Sequence, residues 1–179
     1  MKIDFQETTN DLLKRIDIHS QYGARDIDVW MLETLDLQPG IKILDIGAGA
    51  GKQCFSFYHH LKGQADITGT DVSASLLDQA RIENKKIDNA VRFELLDFNQ
   101  KFNLPDDTYD LISVCFAIYY AQDIPFTIGE MHRVLKPGGR LFSTGPMPSN
   151  KQVFYDIIRE ATGKAIPPMP GSSRYASQI

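Results

Sequence analysis

The chain has 179 residues, with 19 Lys and Arg against 23 Asp and Glu for a net charge of −4. At 42% hydrophobic and 23% charged it has the composition of one globular domain with a sizeable core, which excludes a disordered segment. The acidic balance without a basic run argues against a nucleic-acid partner, and no apolar run nears the roughly 18 residues that span a bilayer, so no membrane association is expected.

The chain opens with MKIDFQETTNDLL, which lacks the unbroken apolar stretch of a signal peptide, so a cytoplasmic location is expected. Residues 24–35 read as an amphipathic helix with Ile27, Trp30, Met31 and Leu35 on the face expected to pack on a sheet, ended by Gln38-Pro39-Gly40. Five short, largely apolar runs follow as strand candidates: 42–46, 66–70, 91–96, 110–115 and 140–144. Helical patterns alternate with them at 51–61, 74–85 and 124–135, and another lies at 151–162. Ser73 stands where an N-cap belongs. The segment LPDDTYD, 104–110, is a turn into the fourth strand, and Lys136-Pro137-Gly138-Gly139 reads as a helix end followed by a type II turn. Such alternation marks a doubly wound, mostly parallel α/β sheet. A single domain is expected, with N-terminal helices over 1–41, a ligand-binding core over 42–146, and a last helix with a Pro- and Ser-rich tail over 147–179. Cys54 and Cys115 read as core thiols of a reducing compartment, and His19, His59, His60 and His132 have no metal spacing, so no metal is expected.

The most informative stretch is ILDIGAGAGK, 43–52, where Gly47, Gly49 and Gly51 sit between the first strand and a helix. A P-loop reading fails, because its first glycine falls on Ile46 and Lys52 precedes Gln53. The dinucleotide fingerprint G-x-G-x-x-G fails at its last position, which is Lys52. The pattern that remains is Asp-x-Gly-x-Gly-x-Gly.

These residues resemble the first motif of the class I S-adenosylmethionine-dependent methyltransferases. Further motifs follow in order: ITGTDVS around Asp71, FELLDFN around Asp97, DLISVCFAIYYAQD and EMHRVLKPGGRLF. The resemblance is closest to the small-molecule branch that includes the quinone-biosynthesis enzymes. It implies S-adenosyl-L-methionine as cofactor, a small-molecule methyl acceptor and a strand order 3-2-1-4-5. It places Asp71 on the ribose hydroxyls, Asp97 on the adenine amino group, and Phe98 beside the ring. Asp45, Gly47, Ala48, Gly49, Gly51, Val72 and Phe116 complete the implied cofactor site, with Tyr22, and alternatively Arg25, at the methionine end.

Charge agrees with this ligand. Unit charges about 4 Å apart interact by about 4 kcal/mol at an effective dielectric of 20, so Asp45, Asp71 and Asp97 at neighbouring strand ends favour a sulfonium over a pyrophosphate. Duller roles stand beside these. Asp45 could brace the loop by accepting backbone N–H bonds, Asp71 could cap a helix, and Asp97 could be a turn residue. Tyr119 and Tyr120 replace a His-His pair common in relatives, and could line an acceptor pocket or simply pack. No general base is evident, so the catalytic residues stay unassigned. Two other readings are a binding module for S-adenosylmethionine or S-adenosylhomocysteine without turnover and a dinucleotide oxidoreductase. The family's sheet ends in an antiparallel hairpin, which 163–179 is not expected to supply. An abbreviated core is therefore expected, with the fifth strand an open edge suited to a homodimer.

Overall fold

The computed structural model describes residues 26–149, 152–167 and 170–178. In chain order the elements are α1 (Ile27–Leu35), β1 (Lys42–Ile46), α2 (Lys52–His60), β2 (Asp66–Asp71), α3 (Ala74–Asn84), β3 (Arg92–Leu95), β4 (Tyr109–Cys115), α4 (Ile124–Val134), β5 (Leu135–Thr144), α5 (Gln152–Thr162) and α6 (Pro170–Gln178). Among the described residues five strands form one parallel sheet in the order β3-β2-β1-β4-β5, as the resemblance implies, with β3 and β5 at its edges.

Strand periodicity divides the core into two layers. Ile43, Ile67, Phe93 and Leu111 face α1, α2 and α3, where they meet Leu35, Cys54, Phe57, Leu77 and Ala80. Leu44, Ile46, Ile112 and Val114 face the other way, onto Ile124, Met131 and Val134 of α4 and Tyr175 of α6. Each of these aliphatic side chains contributes about 1.5–3 kcal/mol by leaving water.

Several expected boundaries move for physical reasons. β1 has the expected bounds, whereas β2 extends to Asp71, which pairs with Leu95. β5 begins at Leu135, because Tyr109 pairs with Leu135 before the register shifts and Leu111 pairs with Arg140. Residues 136–139 are thus an irregularity inside a strand, and Lys136 does not cap a helix. Its Nζ lies 2.8 Å from Asp110 Oδ1, while Asp110 Oδ2 accepts the Lys42 N–H at 2.8 Å, so these groups tie three strands together at their amino ends.

α1 is capped by Asp26, whose carboxylate accepts the N–H groups of Asp28 and Val29. Its Met31 and Leu35 are buried, but Ile27 and Trp30 remain more than a third exposed, so only half of the anticipated face is covered. Ser73 caps α3 through Leu76 N–H, as expected. The tail is not structureless: Pro170 opens the helix α6, a position that costs proline nothing because the first N–H groups of a helix lack partners anyway. α5 has no buried residue and exposes Val153, Phe154 and Ile157. Among the described residues no helix is long and apolar enough to cross a membrane.

Candidate functional site

The carboxyl ends of the strands carry the features that the sequence singles out. After Ile46 the chain turns through Gly47 at φ 73°, and the N–H groups of Gly47 and Ala48 both donate to Thr70 O, at 2.8 and 2.9 Å. A β-carbon on Gly47 would stand 2.5 Å from Ala117 Cβ, so only glycine brings the loop this close to the segment after β4. At Gly51, φ 86°, a β-carbon would meet Phe55 at 2.8 Å and Phe93 at 2.9 Å, which makes this glycine the close-packing joint between α2 and the sheet. Gly51 also occupies the N-cap position of α2 and supplies no side-chain acceptor, so the opening N–H groups of α2 are left for another partner.

Asp71 ends β2 half-buried beside this loop. Its Oδ2 accepts the Gly49 N–H at 2.9 Å and its Oδ1 accepts the Ser73 N–H at 2.8 Å, so one carboxylate joins the glycine loop to the start of α3. Val72, next along, is 65% exposed. Asp97 follows β3, and its Oδ1 accepts both the backbone and the side-chain N–H of Asn99, at 2.9 and 2.8 Å. Phe98 packs partly into the α4 layer. Phe116 follows β4 at φ 55°, a costly conformation for an aromatic residue, with its N–H on Thr144 O and its ring 44% exposed. The geometry therefore brings Gly47, Ala48, Gly49, Gly51, Asp71, Val72, Asp97, Phe98 and Phe116 to one edge of the sheet. Tyr22 and Arg25 lie outside the described residues.

Asp45 is placed differently from the other two acids. It is 2% exposed, and its side chain faces Cys54, whose Sγ lies 3.4 Å from Oδ2, together with the Ser113 hydroxyl. The glycine-loop N–H groups go to Thr70 O, Asp71 and Ala48 O, so Asp45 does not brace the loop by the expected bonds. Burial raises its pKa to about 7, with a smaller push from Asp71, against the lowering effect of the Ser113 and Cys54 hydrogen bonds. The acidic surface is consequently made by two carboxylates, not three. Burial also raises the Cys54 thiol, and the Cys115 thiol to about 11, so both stay protonated as core groups.

Lys52 does not reverse the local sign, because its Nζ pairs with Asp28 Oδ2 at 2.9 Å and ties α2 to the first turn of α1. Tyr119 is buried in the α4 layer with Tyr120 partly buried beside it, their rings 4.6 Å apart, an arrangement that places Tyr119 in the core. One concavity, of about 240 Å³, lies at the opposite end of the sheet around Asp110, Lys136, Pro137 and Arg140. The strand-end face is the stronger candidate because the turned loop, the open helix start and the exposed apolar residues converge there. Ser113 and Ala117 shape this face without any local sequence signal, since each acts on a neighbour distant in the chain, Asp45 and Gly47, whereas Asn99 acts on the nearby Asp97.

A family model described as a methyltransferase domain matches residues 37–165. Phosphoethanolamine N-methyltransferase 3 of Arabidopsis thaliana is 34% identical over 122 residues, covering 68% of this chain and 24% of that protein. The ubiquinone/menaquinone biosynthesis C-methyltransferase UbiE of Teredinibacter turnerae is 29% identical over 164 residues, covering 84% of this chain and 65% of that protein. The chain thus spans less than two thirds of either relative's length. Among solved structures, an S-adenosylmethionine-dependent methyltransferase from Aquifex aeolicus superposes with a TM-score of 0.67 at 22% identity, covering 88% of this chain and 89% of that one. The glycine loop, the acid that ends β2 and all five strands lie inside the family match, and the chain belongs to the methyltransferase domain family.

Proposed function

We propose that the chain binds S-adenosyl-L-methionine across the carboxyl ends of β1 to β4 and transfers its methyl group to a small-molecule acceptor. The observation that carries this reading is Asp71. Each of its oxygens accepts one backbone N–H, and each keeps a second lone-pair site for a ribose hydroxyl. The other groups suit the same ligand: Asp97 keeps Oδ2 for an amino group, while Val72, Phe98 and Phe116 offer apolar surface to a purine. With Lys52 neutralised by Asp28, the face suits a cationic nucleoside better than a pyrophosphate. In this reading residues 42–146 form the cofactor half and Tyr22 meets the methionine end.

When bound, the sulfonium supplies an activated methyl group with a good leaving group already in place. The chain's task is to align the acceptor with it and to exclude water. Asp71 fixes the loop and the nucleoside together, and Phe116, held by Thr144, covers the face from the β4 side. The reading extends to a cytoplasmic protein, in accord with two free thiols, and to pairing of two copies through the β5 edge. Titration calorimetry with S-adenosylmethionine, S-adenosylhomocysteine and NADH tests the cofactor assignment. Asp71→Ala is expected to lose about 1.5–3 kcal/mol of affinity, the scale of hydrogen bonds to a charged group. A response to NADH alone overturns the reading. Methyl transfer to phosphoethanolamine or a quinone precursor separates an enzyme from a binding module that lacks turnover.

A further inference from the structure

The loop between β4 and α4 contains Phe116 at its start and Tyr119 and Tyr120 in a short 3₁₀ turn, Ile118–Tyr120. It is held from outside the sheet by α6. The Arg174 guanidinium donates to three backbone carbonyls in this loop: Tyr119 O at 3.1 Å, Ala121 O at 2.6 Å and Gln122 O at 3.5 Å. Among the described residues no carboxylate pairs with it, so the planar fork is matched to converging carbonyls rather than to a charge. The neighbouring Tyr175 anchors α6 independently: its ring is buried in the α4 layer and its hydroxyl lies 3.3 Å from Ser143 Oγ.

The same loop is gripped from the other side. Gln122 N–H donates to Asn99 Oδ1 at 2.7 Å, and Asn99 in turn donates twice to Asp97 Oδ1. Gln122 is therefore held at its carbonyl by α6 and at its N–H by the turn after β3.

We propose that Arg174 is a positioning residue, setting the 116–122 loop against the cofactor face through a relay that runs by way of Gln122 and Asn99 to Asp97. The proposal rests on the cofactor reading above. Arg174 touches no ligand in it. Its role is to hold Phe116 and Asp97, on either side of the adenine position, in one arrangement, so that ligand affinity depends on a side chain far from the ligand in sequence.

The test uses the full chain, with S-adenosylhomocysteine as probe. Arg174→Ala is expected to speed amide exchange at Tyr120, Ala121 and Gln122 in the ligand-free protein and to weaken S-adenosylhomocysteine by about fivefold or more, the lower end of typical coupling between sites. Arg174→Lys keeps the charge but not the fork and should fall between the two. Asn99→Ala, at the other end of the relay, should weaken binding comparably without disturbing α6, and the double variant should lose less than the sum of the single losses. A drop in melting temperature with affinity unchanged would mean that Arg174 only stabilises the fold, and overturns the proposal, as would strict additivity. If the wild-type protein fails to bind S-adenosylhomocysteine, the cofactor reading falls by itself, whereas unchanged exchange at 120–122 in Arg174→Ala overturns the positioning role whatever the ligand.

Discussion

Asp45 makes stability depend on pH in a direction opposite to that of most carboxylates. Its pKa stands at about 7 in the folded chain against 3.8 for the free side chain, chiefly because burial penalises the charged form. Between about pH 4 and pH 7 the folded state holds a proton that the unfolded state has lost. Stability from this group is fully present below pH 4 and is lost as pH rises through 7. Each pH unit between the two pKa values is worth about 1.4 kcal/mol, so an interval of roughly three amounts to about 4 kcal/mol by pH 8. Asp45→Asn has nearly the same shape and no titration, at a fixed cost of about 1–3 kcal/mol for an amide N–H facing donors. Urea unfolding of both proteins from pH 5 to pH 8 reads the difference. The variant should be the less stable at pH 5 and should gain on the wild type by about 3 kcal/mol by pH 8. A difference that stays constant over this range would refute the claim that Asp45 is neutralised by burial.

Gly47→Ala places a methyl group 2.5 Å from Ala117 Cβ at a positive φ, so it should destabilise by about 1–3 kcal/mol and abolish S-adenosylhomocysteine binding, measured by thermal melting and calorimetry. The opposite end of the sheet titrates in the ordinary sense. Lys136, together with the Lys42 N–H and charge, holds Asp110 below the usual carboxylate range, so Lys136→Met should lose up to about 1 kcal/mol at pH 7. That difference should fade as pH falls below 4, where Asp110 protonates in both proteins, and chemical denaturation at pH 3 and pH 7 checks it.

The strands were legible where local pattern and tertiary pairing agree. β1 lies between a Pro-Gly turn and the glycine loop, and its bounds follow from the run of apolar residues alone. The start of β5 was not, because Pro137, Gly138 and Gly139 read as breakers, and only the pairing of Leu135 with Tyr109 draws the strand back across them from the expected 140–144. α6 was hidden by its Pro, Gly and Ser content, which outweighs in local pattern what Tyr175 gains by burial. At the site, the glycines and Asp71 could be picked out because spacing dictates their geometry. The burial of Asp45 could not, since it depends on Ser113 standing opposite it on β4. The Asn99–Gln122–Arg174 chain joins residues 23 and 52 apart, beyond the reach of any local signal.

The uncovered half of α1 gives the chain an internal optical probe. Trp30 is the only tryptophan in the sequence, 38% exposed, on a helix tied through Asp28 to the first residue of α2. Indole emission depends on how much water the ring sees, so its wavelength reports the surroundings of α1 with no background from other tryptophans. Any ligand that draws α1 down over the glycine loop would shift that emission to the blue, which makes the position of this helix measurable in dilute solution without a label.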